Sequence, residues 1–319
     1  MIAPPNPGHL PVMRDEVVTA LRPRAGARFI DATFGGGGHT ALLLELSTPD
    51  GRVLAIDADP EAQSRAEVIR ASLNDPDRLM LVRANFSEIA SVAEQHRFTA
   101  VDGILFDLGL SSFQLDDPER GFAFRTDGPL DMRMNPDTHP SAAELIATTD
   151  ELSLMRLLRE YGEEPRARQI ARAIVQEREK EPLVSTAQFA ALVEKAVGGR
   201  RGAKTHPATR TFQAVRIAVN QELDSIERGV RGAIDLLAPG GRLVTIAFHS
   251  LEDRLVKRII QEESATCVCP PEIPICVCDA APRLRRVGGS RKPSSAEIAH
   301  NPRARSAIMR IAERLPDAS

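Results

Sequence analysis

Between residues 27 and 100, short apolar runs alternate with polar stretches of helical character in the rhythm of βαβ units, which predicts a parallel sheet. ARFIDAT reads as a first strand, residues 39–46 as the opening of a helix, RVLAIDA as a second strand, and residues 60–73 as a helix entered through proline. LMLVRAN and VDGILFD follow as a third and a fourth strand, the fourth ending on Asp107. Ligands of such sheets sit beyond the carboxyl ends of the strands, so Asp31, Asp57, Asn85 and Asp107 are expected to converge on one crevice.

Past a loop over residues 108–136 the pattern changes. Residues 142–197 are helical in character, with LSLMRLLREYG and ARQIARAIVQERE carrying apolar positions three and four apart. The turn VGGRRGAKTHP, a helix over 209–223 and a further helix then lead to PGG and the strand RLVTIAFH, which restores the α/β rhythm. The expected organisation is a discontinuous sheet domain over 1–135 and 211–319, interrupted by an all-helical insertion over 136–210.

The chain has 319 residues, 42% hydrophobic and 27% charged, enough for a substantial core. No apolar run approaches the roughly 20 residues of a membrane span. MIAPPNPGHLPVMRDE lacks a basic start followed by an apolar stretch, so no secretory leader is expected and the chain is expected to be cytoplasmic. The net charge of −3 argues against a uniformly cationic protein, yet basic residues cluster. One group is Arg200, Arg201, Lys204, Arg210 and Arg216. In the other, Arg283, Arg285, Arg286, Arg291, Lys292, Arg303, Arg305 and Arg310 are set against Glu297 alone. Either group suits phosphate contact, and a solvated surface accounts for any single member.

The candidate chemistry begins at DATFGGGGHT, where Gly35, Gly36, Gly37 and Gly38 stand between a strand and a helix, a place for a tight turn and close approach to a ligand. The run is not a G-x-G-x-x-G, and no G-x-x-x-x-G-K-[ST] loop is present, which weakens nucleotide phosphate binding. Asp57, at the tip of the second strand, is placed to accept from both ribose hydroxyls of a dinucleotide or an adenosyl cofactor. Asp31 is placed to take an amino group or to fix the glycine loop. His39 opens the helix as a cap or a cofactor contact. Phe86 covers an adenine face or belongs to the core. The glycine turn leaves adenosyl and dinucleotide ligands both open.

Cys267, Cys269, Cys276 and Cys278 form C-V-C-x6-C-V-C with Pro270, Pro271 and Pro274 between the pairs. Four thiolates can take one zinc, although C-x-C is tighter than the usual C-x2-4-C, and unliganded loop cysteines are the equal alternative. A permanent disulfide is not expected in a cytoplasmic protein.

DLGLSSFQLDDPERGFAFRTDGPLDMRM, residues 107–134, is long and specific, and it resembles the ribosomal RNA small subunit methyltransferase H family, also called MraW. HLPVM, DATFGGGGHT, HPATRTFQAVRIAVNQEL, GGRLVTIAFHSLEDRLVKR and KPSSAEIAHNPRARSAIMRIAE are similar to the same family's motifs, in order along nearly the whole chain. The resemblance implies a class I (Rossmann-like) methyltransferase sheet, α/β, with an inserted helical domain. It implies transfer of a methyl group from S-adenosylmethionine to the exocyclic N4 of a cytidine in the decoding region of bacterial 16S rRNA, with the assembled small subunit as the favoured substrate. Family cofactor contacts carry over onto Gly37, Gly38, His39, Asp57, Phe86, Asp107 and Gln114. Gly36 departs from the non-glycine residue usual within the family's turn, with little consequence expected.

A cytosine amino group is a poor nucleophile, its lone pair being delocalised into the ring, so an acceptor must orient its protons toward the sulfonium methyl. Asp107 is the expected catalytic residue, holding the cofactor or orienting the amine. The sulfonium already makes the methyl electrophilic, so no metal or covalent intermediate is required. Asp107-Leu108-Gly109-Leu110-Ser111-Ser112 replaces the D/N-P-P-Y/F motif of many amino-group methyltransferases, which leaves the manner of amine activation open. An extruded base needs apolar faces, for which Phe113, Phe122 and Phe124 are candidates. Asp116, Asp127, Asp131 and Arg133 offer edge contacts or a self-bonded turn network. Arg210, Gln213 and Asn220 share a helix face that serves the site or links helices. His249 and Ser250 suggest an acid or base, ranked below Asp107. A dehydrogenase would share the glycine turn and Asp57 but leaves 107–134 unexplained; an RNA-binding assembly factor without catalysis is the other rival.

Overall fold

The computed structural model describes residues 11–317 except 138–139, 201, 203–204, 268, 270–277 and 279. Expectations attached to Arg201, Lys204, Cys276 and the first ten residues therefore lie outside the described residues. Seven strands, β1 (Arg28–Asp31), β2 (Arg52–Asp57), β3 (Leu79–Arg83), β4 (Val101–Asp107), β5 (Leu237–Ala247), β6 (Leu284–Arg286) and β7 (Ile308–Arg314), form one sheet in the order β3-β2-β1-β4-β5-β7-β6. The first five run parallel, while β7 pairs antiparallel with both β5 and β6. This doubly wound order with a reversed last strand is the class I methyltransferase sheet that was expected.

Side chains alternate across the strands, and the two faces bury different sets. Phe29, Val53, Ala55, Leu105 and Val244 pack in one layer with α1 (Arg14–Leu21), α2 (Gly38–Leu46) and α3 (Ala62–Ala71). Ile30, Leu54, Ile56, Ile104 and Phe106 pack in the other with α4 (Ile89–Gln95), α11 (Glu222–Leu236) and α12 (Ser250–Glu263). Burial on both faces explains why these strands read as continuous apolar runs. PGG lies inside β5 rather than before it: pairing jumps from Val101↔Leu237 to Gly103↔Arg242, so the glycines form a bulge. α13 (Ser295–His300) precedes β7.

The chain divides into two compact units, one made of Met1–Gly109 and Leu223–Ser319, the other of Leu110–Glu222. The second contains α5 (Ser112–Asp116), α6 (Ala142–Thr148), α7 (Glu151–Gly162), α8 (Ala167–Arg178), α9 (Thr186–Ala196) and α10 (Ala208–Asn220). Leu154 and Leu158, Ile170 and Ile174, and Phe189 and Val193 are buried pairs spaced four apart, one pair per helix. Phe122, Leu130 and Met132 of the preceding loop are buried in the same core. That burial carries residues 110–135 into the helical unit, so its limits differ from the expected 136 and 210. The helix expected over 209–223 stops at Asn220 because Gln221 turns left-handed, φ 48°. Among the described residues no helix is long and apolar enough to cross a membrane.

Candidate active site

The carboxyl ends of β1, β2 and β4 carry Asp31, Asp57 and Asp107, and the chain that leaves β1 folds its glycine turn against them. Asp31 is buried and accepts from Thr40 Oγ1 at 2.6 Å and from the Thr33 N–H at 3.2 Å. Burial raises its pKa to about 6, and the neighbouring Asp57 adds to the rise. Asp57 uses both carboxylate oxygens on backbone: Oδ2 accepts the Gly35 N–H at 2.6 Å and Oδ1 the Asp59 N–H at 2.8 Å. Arg65 Nε donates to the Gly35 carbonyl at 2.9 Å, so the turn is gripped from two sides.

Gly37 has φ +74°, and a Cβ there would stand 2.6 Å from Ile69 Cδ1 and 2.8 Å from Phe34 Cζ. Glycine is thus required by the backbone conformation and by packing, before any ligand is considered. Gly38 begins α2, and His39 follows it, buried. Burial lowers the His39 pKa to about 4, so the ring is neutral at physiological pH.

Asp107 closes β4. Its N–H donates to Thr33 Oγ1 at 2.6 Å, its Oδ2 lies 3.7 Å from His39 Nε2, and its Oδ1 is a buried atom without a hydrogen-bond partner. Burial, then repulsion from Asp31 and Glu252, raises its pKa to about 8. Glu252, fully buried in the first turn of α12, accepts the N–H groups of Phe248 and His249 at Oε2, 2.8 and 3.2 Å away. His249 returns the cap: its Nδ1 accepts the Glu252 N–H at 3.4 Å, and its Nε2 lies 3.1 Å from Glu252 Oε1. The reciprocal cap occupies His249 Nδ1 and Glu252 Oε2, while His249 Nε2 and Glu252 Oε1 are buried atoms without a hydrogen-bond partner.

The cluster of three acids on the tips of adjacent strands, one with an unpartnered oxygen, resembles a site built for a cationic ligand. A family model described as the MraW methylase family matches residues 6–315. The chain belongs to that family. Its relatives include "Ribosomal RNA small subunit methyltransferase H" of Thermomicrobium roseum, 53% identical over 308 residues, covering 96% of this chain and 94% of the relative. The protein of the same name from Syntrophotalea carbinolica is 49% identical over 311 residues, covering 96% and 98%.

The other residues singled out in the sequence fall into place unevenly. Phe86 is half-buried and meets Phe106 edge-on, ring centroids 5.8 Å apart. Asn85 Oδ1 accepts the Ser87 N–H at 2.8 Å and so caps the turn that follows β3. Thr33, Thr40, Arg65 and Glu252 were not anticipated, although H-S-L-E at 249–252 is spaced like a capping box and announces the last of them.

In the helical unit, Gln114 is buried and forms a capping box with Ser111: the Ser111 N–H donates to Gln114 Oε1 at 3.1 Å and the Gln114 N–H to Ser111 Oγ at 3.3 Å. Phe122 is buried in that unit's core, and Phe124, half-buried, packs on the rings of His206 and Phe212, each 4.7 Å away. Asp131 pairs with Arg133 at 2.7 Å, and Asp127 accepts the Ala187 N–H at 2.9 Å, which is the self-bonded network. Asn220 accepts the Met134 N–H at 2.8 Å and donates to the Met132 carbonyl at 2.7 Å; Gln213 donates to the Tyr161 carbonyl at 3.2 Å. Arg216 forms a two-pronged pair with Glu222 at 2.7 and 2.9 Å. In the basic stretch near the C-terminus, Arg283 is spent on Glu263 and Asp235, Arg285 on Glu313, and Arg310 on Asp253, while Arg286, Lys292 and Arg305 are exposed.

Proposed function

We propose that the chain methylates the exocyclic N4 of a cytidine in the decoding region of bacterial 16S rRNA, using S-adenosylmethionine, in the cytoplasm and on the assembled small subunit. The observation that carries this reading is the buried, unpartnered Oδ1 of Asp107 beside a neutral His39 at the tip of β4. A carboxyl held this way gains from a cation or a hydrogen-bond donor, and both the cofactor and the cytosine amine supply one. S-adenosylmethionine supplies, when bound, an electrophilic methyl on a cationic sulfur.

Asp57 fits the ribose because each carboxylate oxygen, already oriented by a backbone N–H, keeps a lone pair for a hydroxyl. Gly37, Gly38 and His39 would hold the methionine end, Phe86 would face the adenine, and Gln114 would supply a further cofactor contact. Neutral His39 adds no positive charge that would repel a cation. Asp107, ionised beside a bound cation, would accept a hydrogen bond from the amine and so turn the nitrogen lone pair toward the methyl. As the N–C bond formed, the S–methyl bond would break with its electron pair staying on the sulfur as a neutral thioether, and the surplus amine proton would leave through the hydrogen bond to Asp107.

The test compares rRNA nucleosides by mass spectrometry from a strain lacking the gene, complemented with the unaltered protein or with Asp107→Ala. N4-methylated cytidine restored by the first and absent with the second is the expected result. Failure of the unaltered protein to restore it sinks the enzyme reading, and restoration by Asp107→Ala removes Asp107 from catalysis.

A further inference from the structure

Between the end of α12 and the start of β6 runs a segment that the methyl transfer does not use. Its base is closed tightly. The Arg283 N–H donates to the Glu263 carbonyl at 2.9 Å, and the Arg283 guanidinium binds Glu263 at 2.7 Å and Asp235 at 2.6 Å. The same segment carries Cys267, Cys269 and Cys278, whose sulfurs all lie within 4.8 Å of one another, with Cys267 and Cys278 at 3.8 Å.

We propose that Cys267, Cys269 and Cys278 are ligands of one zinc ion that cross-links this segment. Four sulfurs about 2.3 Å from a tetrahedral zinc stand about 3.8 Å apart along each edge, and the Cys267–Cys278 separation has that length. It is too long for a disulfide of about 2.05 Å. Three soft thiolate donors around one point select zinc over magnesium or calcium, which take oxygen ligands. The C-x-C spacing departs from the common zinc pattern, but the arrival of Cys278 from the far end of the segment closes a loop of the kind a metal stabilises. The ion takes no part in methyl transfer.

Full-length protein purified with reductant and supplied with equimolar zinc, then desalted, should retain about one zinc per chain by elemental mass spectrometry. Cys267→Ser/Cys278→Ser should retain at least tenfold less while keeping its circular dichroism and methyl-donor binding within twofold. If that double variant misfolds, Cys269→Ser and chelator treatment of the unaltered protein replace it: stripping the metal should speed alkylation of the three cysteines at least tenfold, reversibly on zinc addition. Cobalt(II) in place of zinc should give the intense visible bands of a tetrahedral thiolate site. Zinc far below one per chain, unchanged zinc in the serine variants, an iron chromophore, or a disulfide found by mass in the reductant-treated protein each overturns the assignment.

Discussion

The acids of the strand-tip crevice and those of the 110–135 loop are alike in sequence and opposite in environment. Asp31 and Asp107 are pushed up by burial, to about 6 and about 8. Asp127 and Asp131 are held below the usual carboxylate range, Asp127 chiefly by backbone N–H donation from Ala187, and Asp131 by Arg133, which outweighs its own partial burial. The loop uses its carboxylates to hold itself together, whereas the crevice keeps Asp107 short of partners. A fold carries such a cost where a ligand relieves it, so the raised acids, not the more numerous lowered ones, mark the functional site.

The largest expected effect follows from removing the charge that the crevice holds ready. Asp107→Asn keeps the shape and should lower single-turnover methylation about 10²–10⁴-fold, the range for a positioned proton acceptor. The fold should be as stable or more so, because a buried acid is gone. Activity within tenfold of the unaltered protein would erase the contrast.

The converse change belongs to the loop. Phe122→Ala should cost about 3 kcal/mol by opening a cavity in the helical core, read as a lowered urea midpoint. A loss below about 1 kcal/mol would mean that the loop is not part of that core.

These two sites also show how much was legible in advance. β1 to β5 were readable because burial on both faces leaves uninterrupted apolar runs, and the acids at their ends followed from the topology. β6, with the sequence LRR, and β7, IMRIAER, were not recognised: three residues carry no period, and β7 mixes Arg310 and Glu313 into an antiparallel strand whose partners are distant in sequence. The motif over 107–134 was legible as a family feature, yet composition could not say that Phe122 and Phe124 turn inward. Which carboxylates satisfy themselves depends on donors such as Ala187 and Thr40 that only the fold brings near.

A pH series sharpens the contrast further. Below about pH 8 Asp107 is protonated in the ligand-free protein, and a sulfonium cation favours its ionised form, so binding releases a proton. Affinity for S-adenosylmethionine should therefore climb by up to about tenfold per pH unit toward pH 8 and level above it, and Asp107→Asn should flatten the curve. Stability runs the other way. The folded state holds this proton over pH 4–8 while the unfolded state, with its ordinary carboxylate, does not, so the Asp107 contribution falls as pH rises through that window. Calorimetry in buffers of different ionisation enthalpy counts the proton; a count of zero at pH 7 refutes the linkage.

Asp131→Asn should do least. Asp131 accepts from Arg133 Nε at 2.9 Å, Nη2 at 2.7 Å and the backbone N–H at 3.0 Å, but the two partners are neighbours in one turn and both stay partly open to solvent, so the pair contributes about 1 kcal/mol. Its pKa is lowered on folding, so whatever it contributes is present above the unfolded carboxylate range and disappears as pH falls through the folded value. The variant should thus differ slightly in thermal midpoint at pH 7, converge with the unaltered protein in acid, and keep turnover within threefold. A loss on the scale of Asp107→Asn would show that the loop acids meet the substrate after all, and the rule that raised acids mark the site would fail in this protein.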